Sequence, residues 1–195
     1  MQSYTIDKGV DFGKWDDNIS KLLYFDSTKE ILKKVHPIGK IADYGGANGL
    51  IKTFIPNIIT IDIDKTKKPD IIDDIITHIG KYDWIIIRYV LHYLNDYELL
   101  QLFDNIASYH KGKVLIQQFI NDDLKNKYFN SKNEFKYFRT ETQLEALLPD
   151  NIEKIYTKEY YATEEFYKNR LSIENCVSHF EKINAYLINY EKNRA

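Results

Sequence analysis

Three glycines, Gly45, Gly46 and Gly49, follow directly on the apolar stretch that ends Ile41-Ala42-Asp43-Tyr44. Glycine has no Cβ, so such a turn can lay bare backbone N–H groups against a ligand. A helix expected over Leu50 to Phe54, stopped before Pro56, would add its unpaired amides and the positive end of its dipole. The chemistry this favours is the binding of an anionic, nucleotide-like group. A second apolar run, Ile58 to Ile63, carries Asp62, with Asp64 one pleat away on the same side. A carboxylate at a strand end, about 20 residues beyond a glycine turn, is placed to grip a ribose diol. Taken singly, the glycines also suit a tight connection, and Asp62 also suits a strand-terminating turn; their register together favours a site. Further on, Trp84 to Ile87 read as a buried strand that releases Arg88, Tyr89, Val90, Leu91 and His92. Histidine is the side chain best suited to take a proton near neutrality, although His92 equally fits a helix start satisfied by backbone groups. Arg88 suits a carboxylate of a ligand, or alternatively Glu98 or Asp96.

These residues need a scaffold that brings strand ends together. Strands are expected near Lys40 to Tyr44, Ile58 to Asp62, Trp84 to Ile87 and Lys113 to Gln117. Between them, Ser27-x-x-Glu30 reads as a capping box opening a helix to about Val35, and Asn95 with Glu98 opens another to about Tyr109. Leu99, Leu102, Phe103 and Ile106 form that second helix's apolar face. Alternation of this kind implies a parallel sheet with right-handed crossovers. Thr140-x-x-Gln143 caps a short helix ending before Pro149. The stretch from Ile152 to Ile173 reads as two extended segments around Ala162 to Glu164. Cys176, Phe180, Ile183, Leu187 and Tyr190 recur at steps of four and three, which predicts a C-terminal amphipathic helix over 172–195. That helix would pack back on the domain or offer a seam for a homodimer.

The turn Asp43-Tyr44-Gly45-Gly46-Ala47-Asn48-Gly49 resembles the D-x-G-x-G-x-G motif of the class I S-adenosylmethionine-dependent methyltransferases, with Ala47 at the central glycine. Alanine is acceptable there if its φ is negative. A nicotinamide-binding fingerprint aligned on Gly45 would need glycines at Ala47 and Leu50 and has neither. The phrase YDWIIIRYVLHYL is similar to the family's strand and turn beside the methionine end of the cofactor. The resemblance implies S-adenosylmethionine held by residues 43–49, Asp62, Ile63, Asp74, Ile75 and Arg88, with Asp73 as the competitor of Asp74 at the adenine. It also implies an α/β, Rossmann-like, seven-stranded and mostly parallel sheet with a C-terminal antiparallel hairpin strand and helices on both faces. It spans about Ile41 to Leu171.

At 195 residues, with 44% hydrophobic and 29% charged side chains, the chain suits one globular domain. It is expected to divide into an N-terminal helical lid region (1–39), a cofactor-binding core (40–171) and the C-terminal helix. No membrane-length apolar run or signal-peptide core is evident, so a cytoplasmic protein is expected. The single Cys176 rules out a disulfide within the chain, and the five histidines lack an i, i+4 pair, which argues against a metal. A net charge of −2 gives no nucleic-acid footprint. The expected partner is a small-molecule acceptor, methylated at an O or N atom, with Arg88 and His92 as catalytic candidates. Trp15, Tyr89, His92, Tyr128 and Tyr137 are the candidates for touching it. The alternatives are an RNA or protein acceptor, and an idle cofactor-binding domain that serves a partner.

Overall fold

A computed structural model describes residues 25–120, 137, 139–162 and 179–190. The short apolar runs expected as strands form the middle of a seven-stranded sheet, ordered β3-β2-β1-β4-β5-β7-β6. The strands are β1 (Ile41–Tyr44), β2 (Ile59–Asp62), β3 (Ile71–Ile72), β4 (Trp84–Arg88), β5 (Lys113–Ile120), β6 (Ile152–Ala162) and β7 (His179–Asn189). β1 to β5 run parallel, while β7 lies antiparallel between β5 and β6. Because β2 and β4 flank β1, the strand order reverses between β1 and β4, and the carboxyl ends of strands at such a switch point are where open α/β sheets form a ligand crevice.

Alternate residues of each central strand serve opposite faces. Ala42, Ile85, Ile87, Val114 and Ile116 pack with Leu99, Leu102, Phe103 and Ile106 of α2 (Asp96–Tyr109). Ile41, Trp84, Ile86 and Leu115 pack with Ile31 and Leu32 of α1 (Phe25–Val35). The same alternation puts Asp43, Arg88 and Gln117 on the α1 face, at the crevice end of their strands. α2 carries the expected capping box of Asn95 and Glu98, and α3 (Glu141–Glu145) carries that of Thr140 and Gln143.

Three local expectations are corrected. The segment read as a C-terminal helix is β7 from His179 to Asn189, paired with β5 from Lys113↔Asn189 to Ile120↔Lys182. The steps of four and three coincide with a nearly continuous run, Ile183-Asn184-Ala185-Tyr186-Leu187-Ile188, which suits an interior strand covered on both faces. Ala185 joins the α1-side core, and Tyr186 and Ile188 join the α2-side core. The helical dimer seam therefore loses its basis. β7 is also the hairpin partner of β6, whereas the second extended segment expected after Glu164 lies outside the described residues.

Nor is Ser27 a helix cap. α1 starts at Phe25, Ser27 and Thr28 are buried inside it, and Glu30 reaches across to accept from Tyr156 Oη (2.6 Å) and Lys158 Nζ (3.0 Å) of β6. Finally, the helix expected after the glycine turn is one 3₁₀ turn, Leu50–Thr53, with Pro56 close behind it. A single turn has little dipole, so any binding rests on the turn's own amides and side chains. Among the described residues no helix is long and apolar enough to cross a membrane, and no three metal-ligating side chains cluster.

Candidate binding cleft at the carboxyl ends of β1, β2 and β4

The glycine turn is folded tightly onto its neighbours. Gly45 N and Gly46 N both donate to Ile61 O (2.8 and 3.2 Å), and Gly49 N closes back on Gly46 O (2.8 Å). Gly45 has φ +71, and a Cβ there would lie 2.4 Å from Val90 Cγ2. Its glycine is therefore required first by contact between the β1 and β4 exits. A Cβ on Gly46 would lie 2.9 Å from Asp43 Oδ2, so this peptide sits directly over the buried carboxylate.

Ala47 has φ +43, so the condition on which alanine would be acceptable there, a negative angle, is not met. An L-residue in the left-handed region is strained by about 1 kcal/mol or more relative to glycine. Ala47→Gly should thus raise the thermal midpoint by about 2–4 °C in a chain of this size. A midpoint that falls would show that the strain is relieved elsewhere.

Asp62 ends β2 facing this turn. Its Oδ2 accepts from Ala47 N (2.9 Å) and its Oδ1 from Asp64 N (2.9 Å). Burial raises its pKa, opposed by those two amides. Each carboxylate oxygen has two lone pairs, so acceptor capacity for a diol remains. Asp64 turns away to cap the next turn through Thr66 N (2.9 Å), which removes it from the site. At the end of β3, Asp73 Oδ2 pairs with His78 Nδ1 (2.7 Å), while Asp74 Oδ1 accepts from Ile76 N (3.0 Å). Asp73 is thereby committed to the histidine, and Asp74, followed by the buried Ile75, is the less encumbered of the two. Asn48 is exposed on the turn and Ile63 is half-buried beside it.

Tyr44 belongs to the core. Its side chain is fully buried against His78 and Tyr82, and its hydroxyl meets Tyr109 Oη at 2.7 Å. Only its backbone can serve a ligand.

At the β4 exit, Arg88 neither meets Glu98 nor Asp96. Its Nη2 donates to Asp43 Oδ2 (3.2 Å) on the neighbouring strand. Asp43 is 1% exposed, and burial raises its pKa against the opposing pull of the Arg88 charge. Tyr89 adopts φ +53, stacks at 4.5 Å on Phe119, and its hydroxyl accepts from Gln117 Nε2 (2.6 Å). Gln117 Oε1 in turn accepts from Thr28 Oγ1 of α1 (2.9 Å).

His92 does not have the setting of a proton acceptor. It is 1% exposed, and Gln118 Oε1 accepts from Leu91 N (3.3 Å), which leaves the Gln118 amide nitrogen to donate to His92 Nδ1 (3.1 Å). That lone pair is occupied. Burial first, and the Arg139 charge second, lower its pKa to about 3. A histidine depressed in the folded state releases stability as pH falls from its unfolded value of about 6.5 towards that folded value. Between pH 7 and pH 5 the folded protein should lose about 2 kcal/mol through His92 alone. Urea unfolding at both pH values should show that difference against His92→Gln, and parallel pH dependences would contradict it.

Arg139 went unnoticed in the sequence. It is 8% exposed and donates to Leu91 O (2.9 Å), Leu94 O (2.8 Å) and, through Nε and Nη2, Asp96 Oδ1 (3.0 and 2.6 Å). Tyr137 N donates to His92 O (2.9 Å). Tyr137 and Arg139 are thus clasped to the turn that follows β4. The structure brings together residues 43–49, Asp62, Arg88 and Tyr89, with Thr28 and Gln117 added. Trp15 and Tyr128 lie outside the described residues.

No protein-family model and no curated protein sequence matches the chain. Solved structures do. The YcgJ protein from Bacillus subtilis is 12% identical over 85% of this chain and 99% of its own, with a TM-score of 0.63. The N-methyltransferase NodS from Bradyrhizobium japonicum is 12% identical over 89% and 98%, with a TM-score of 0.59. Magnesium protoporphyrin IX methyltransferase from Synechocystis, solved with bound S-adenosylmethionine, is 16% identical over 84% and 77%, with a TM-score of 0.53. At these identities the likeness establishes the fold: a Rossmann-like, seven-stranded methyltransferase sheet with an antiparallel C-terminal hairpin.

Proposed function

We propose that this chain is an S-adenosylmethionine-dependent methyltransferase whose acceptor is a small molecule methylated at oxygen or nitrogen. The observation that carries it is the Asp62 carboxylate, set at the β2 end against Ala47 N of the glycine turn, on a methyltransferase fold. The residues fit the donor. Asp62 keeps lone pairs for the ribose hydroxyls, Asp74 and Ile75 stand one strand further out for the adenine, and the glycine turn, its amides at 45, 46, 47 and 49 already paired within the protein, offers a floor free of large side chains beside β4. The donor's sulfonium supplies an electrophilic methyl group.

What the chain must add is placement of the acceptor lone pair in line with that methyl, in a site closed to water. Tyr89, held by Gln117 and Phe119, is the fixed surface beside the β4 exit that suits this purpose. His92 is assigned a supporting role, holding the turn through Gln118 and Tyr137. An acceptor deprotonated at working pH needs no general base from the protein. A small acceptor agrees with the absence of net positive charge in a chain of formal charge −2.

Transfer of labelled methyl from the donor into fractionated cell extract tests the proposal. Label in the small-metabolite fraction supports it, and label in RNA or protein redirects the acceptor class. One second reading has a specific observation behind it: the strained Ala47 at φ +43 would suit an idle binding domain whose turn has degraded. In that case Ala47→Gly would gain several orders of magnitude in donor affinity. On the methyltransferase reading the gain stays under about tenfold, or 1.4 kcal/mol.

A further inference from the structure

Two consecutive glutamines, Gln117 and Gln118, interrupt the apolar run of β5, and both are buried. β5 is an interior strand between β4 and β7 whose ladder is made by the backbone, so neither side-chain amide is needed for pairing. A buried amide costs free energy unless its polar ends are bonded, a cost that an apolar side chain would not carry. Gln118 bonds the turn after β4. Gln117, on the α1 face, has a different pair of partners. Its Nε2 donates to Tyr89 Oη (2.6 Å), its Oε1 accepts from Thr28 Oγ1 (2.9 Å), and its backbone O accepts from Tyr89 N (2.8 Å). One residue thus ties both the backbone and the hydroxyl end of Tyr89, while Phe119 stacks on the ring. Tyr89 has φ +53, which costs about 1 kcal/mol or more for a residue with a Cβ, and such strain persists only where the surroundings over-determine it.

We infer that Gln117 is a positioning residue for methyl transfer, which sets the Tyr89 ring across the β4 and β5 ends and links acceptor placement to α1 through Thr28. The inference rests on the methyltransferase reading and adds to it the residues that place the acceptor. Donor and acceptor placement are separable in this arrangement. The nucleoside candidates Asp62 and Asp74 stand at β2 and beyond β3, whereas Gln117 and Tyr89 stand on the β5 side of β4. α1 is itself anchored away from the cleft, because Glu30 accepts from Tyr156 Oη and Lys158 Nζ, and Lys34 Nζ donates to Ile155 O (2.6 Å) of β6. Thr28 therefore holds Gln117 from a fixed base, and the ring angle of Tyr89 follows from that chain of bonds. Loss of the chain lets the ring turn, and misplacing an acceptor by about 1 Å costs roughly 100-fold in rate.

The test uses Gln117→Met, which keeps length and volume but makes neither side-chain hydrogen bond, together with Thr28→Val and Tyr89→Phe. Three quantities are read: the fluorine NMR line of 3-fluorotyrosine placed at position 89, the dissociation constant of S-adenosylhomocysteine, and labelled methyl transfer from S-adenosylmethionine into the fraction of cell extract that wild type labels. A dilution series of that fraction separates kcat from KM. Gln117→Met and Thr28→Val should each shift or broaden the fluorine line. They should leave S-adenosylhomocysteine binding within about threefold and lower kcat, by about 10- to 100-fold for Gln117→Met and less for Thr28→Val. In the Tyr89→Phe background, Gln117→Met should change kcat by less than about twofold, because the hydroxyl tether is already gone. A residue that only supports the fold would weaken donor binding and turnover together and would act additively with Tyr89→Phe. Thr28→Val decides alone if Gln117→Met does not fold. An unmoved fluorine line, additive losses, or a moved line with unchanged kcat each overturns the inference. Wild type that transfers no label to any fraction contradicts the methyltransferase reading itself, and the Gln117 assignment falls with it, whatever the fluorine line does.

Discussion

Gly45→Val should lower the protein's stability by roughly 3 kcal/mol or more, which in a domain of this size corresponds to a fall of about 6–12 °C in the thermal midpoint. Two costs add. A β-branched residue is forced to φ +71, and its Cβ would stand 2.4 Å from Val90 Cγ2 on the β4 exit. Val90 is itself packed in the α2-side core with Leu91 and Leu94, so it cannot yield freely. The cleft floor would be pushed apart where β1 and β4 meet, and ligand binding should fail together with stability. Thermal unfolding followed by circular dichroism reads this directly. A variant within about 2 °C of wild type would show that the two exits are not held in this contact.

Asp62→Ala should weaken binding of the methyl donor by about 1.5–3 kcal/mol, roughly 10- to 150-fold, the range for hydrogen bonds to a charged group. The carboxylate contributes twice: it would receive the ribose hydroxyls, and it already holds Ala47 N and Asp64 N. The alanine variant leaves both amides without that acceptor, so part of the loss should appear as looser folding of the turn. Asp62→Asn separates the two contributions, because the amide oxygen can still accept one of those N–H groups while the charge is gone. Titration of both variants with S-adenosylhomocysteine should place asparagine between wild type and alanine. An alanine variant with wild-type affinity would remove Asp62 from the ribose site.

What could be read from the sequence was what is local. The capping boxes at Asn95/Glu98 and Thr140/Gln143 are four-residue patterns and formed as expected. The glycine turn and the buried strand runs are equally short-range, and they fixed the crevice at β1 and β4. β7 escaped because Ile183 and Leu187 satisfy a helical spacing while the run between them satisfies a strand; pairing with β5 and β6 decided between them. The same non-locality hid Gln117, which meets Thr28 across 89 positions, and Arg139, which clasps Leu91 across 48. The φ of Ala47 stayed open because a single alanine gives no sign of it; in the structure it is +43, with the Ala47 N–H donating to Asp62. His92 looked available because it leaves a strand end, and only its neighbours Gln118 and Arg139 reveal that it is enclosed and neutral.

Titration of the wild-type protein with S-adenosylmethionine tests the central claim most directly. The cleft described above predicts saturable one-to-one binding that adenosine competes for and that Asp62→Ala weakens. Absence of binding by folded protein at millimolar donor, where even a free energy of about −4 kcal/mol would register, would contradict it.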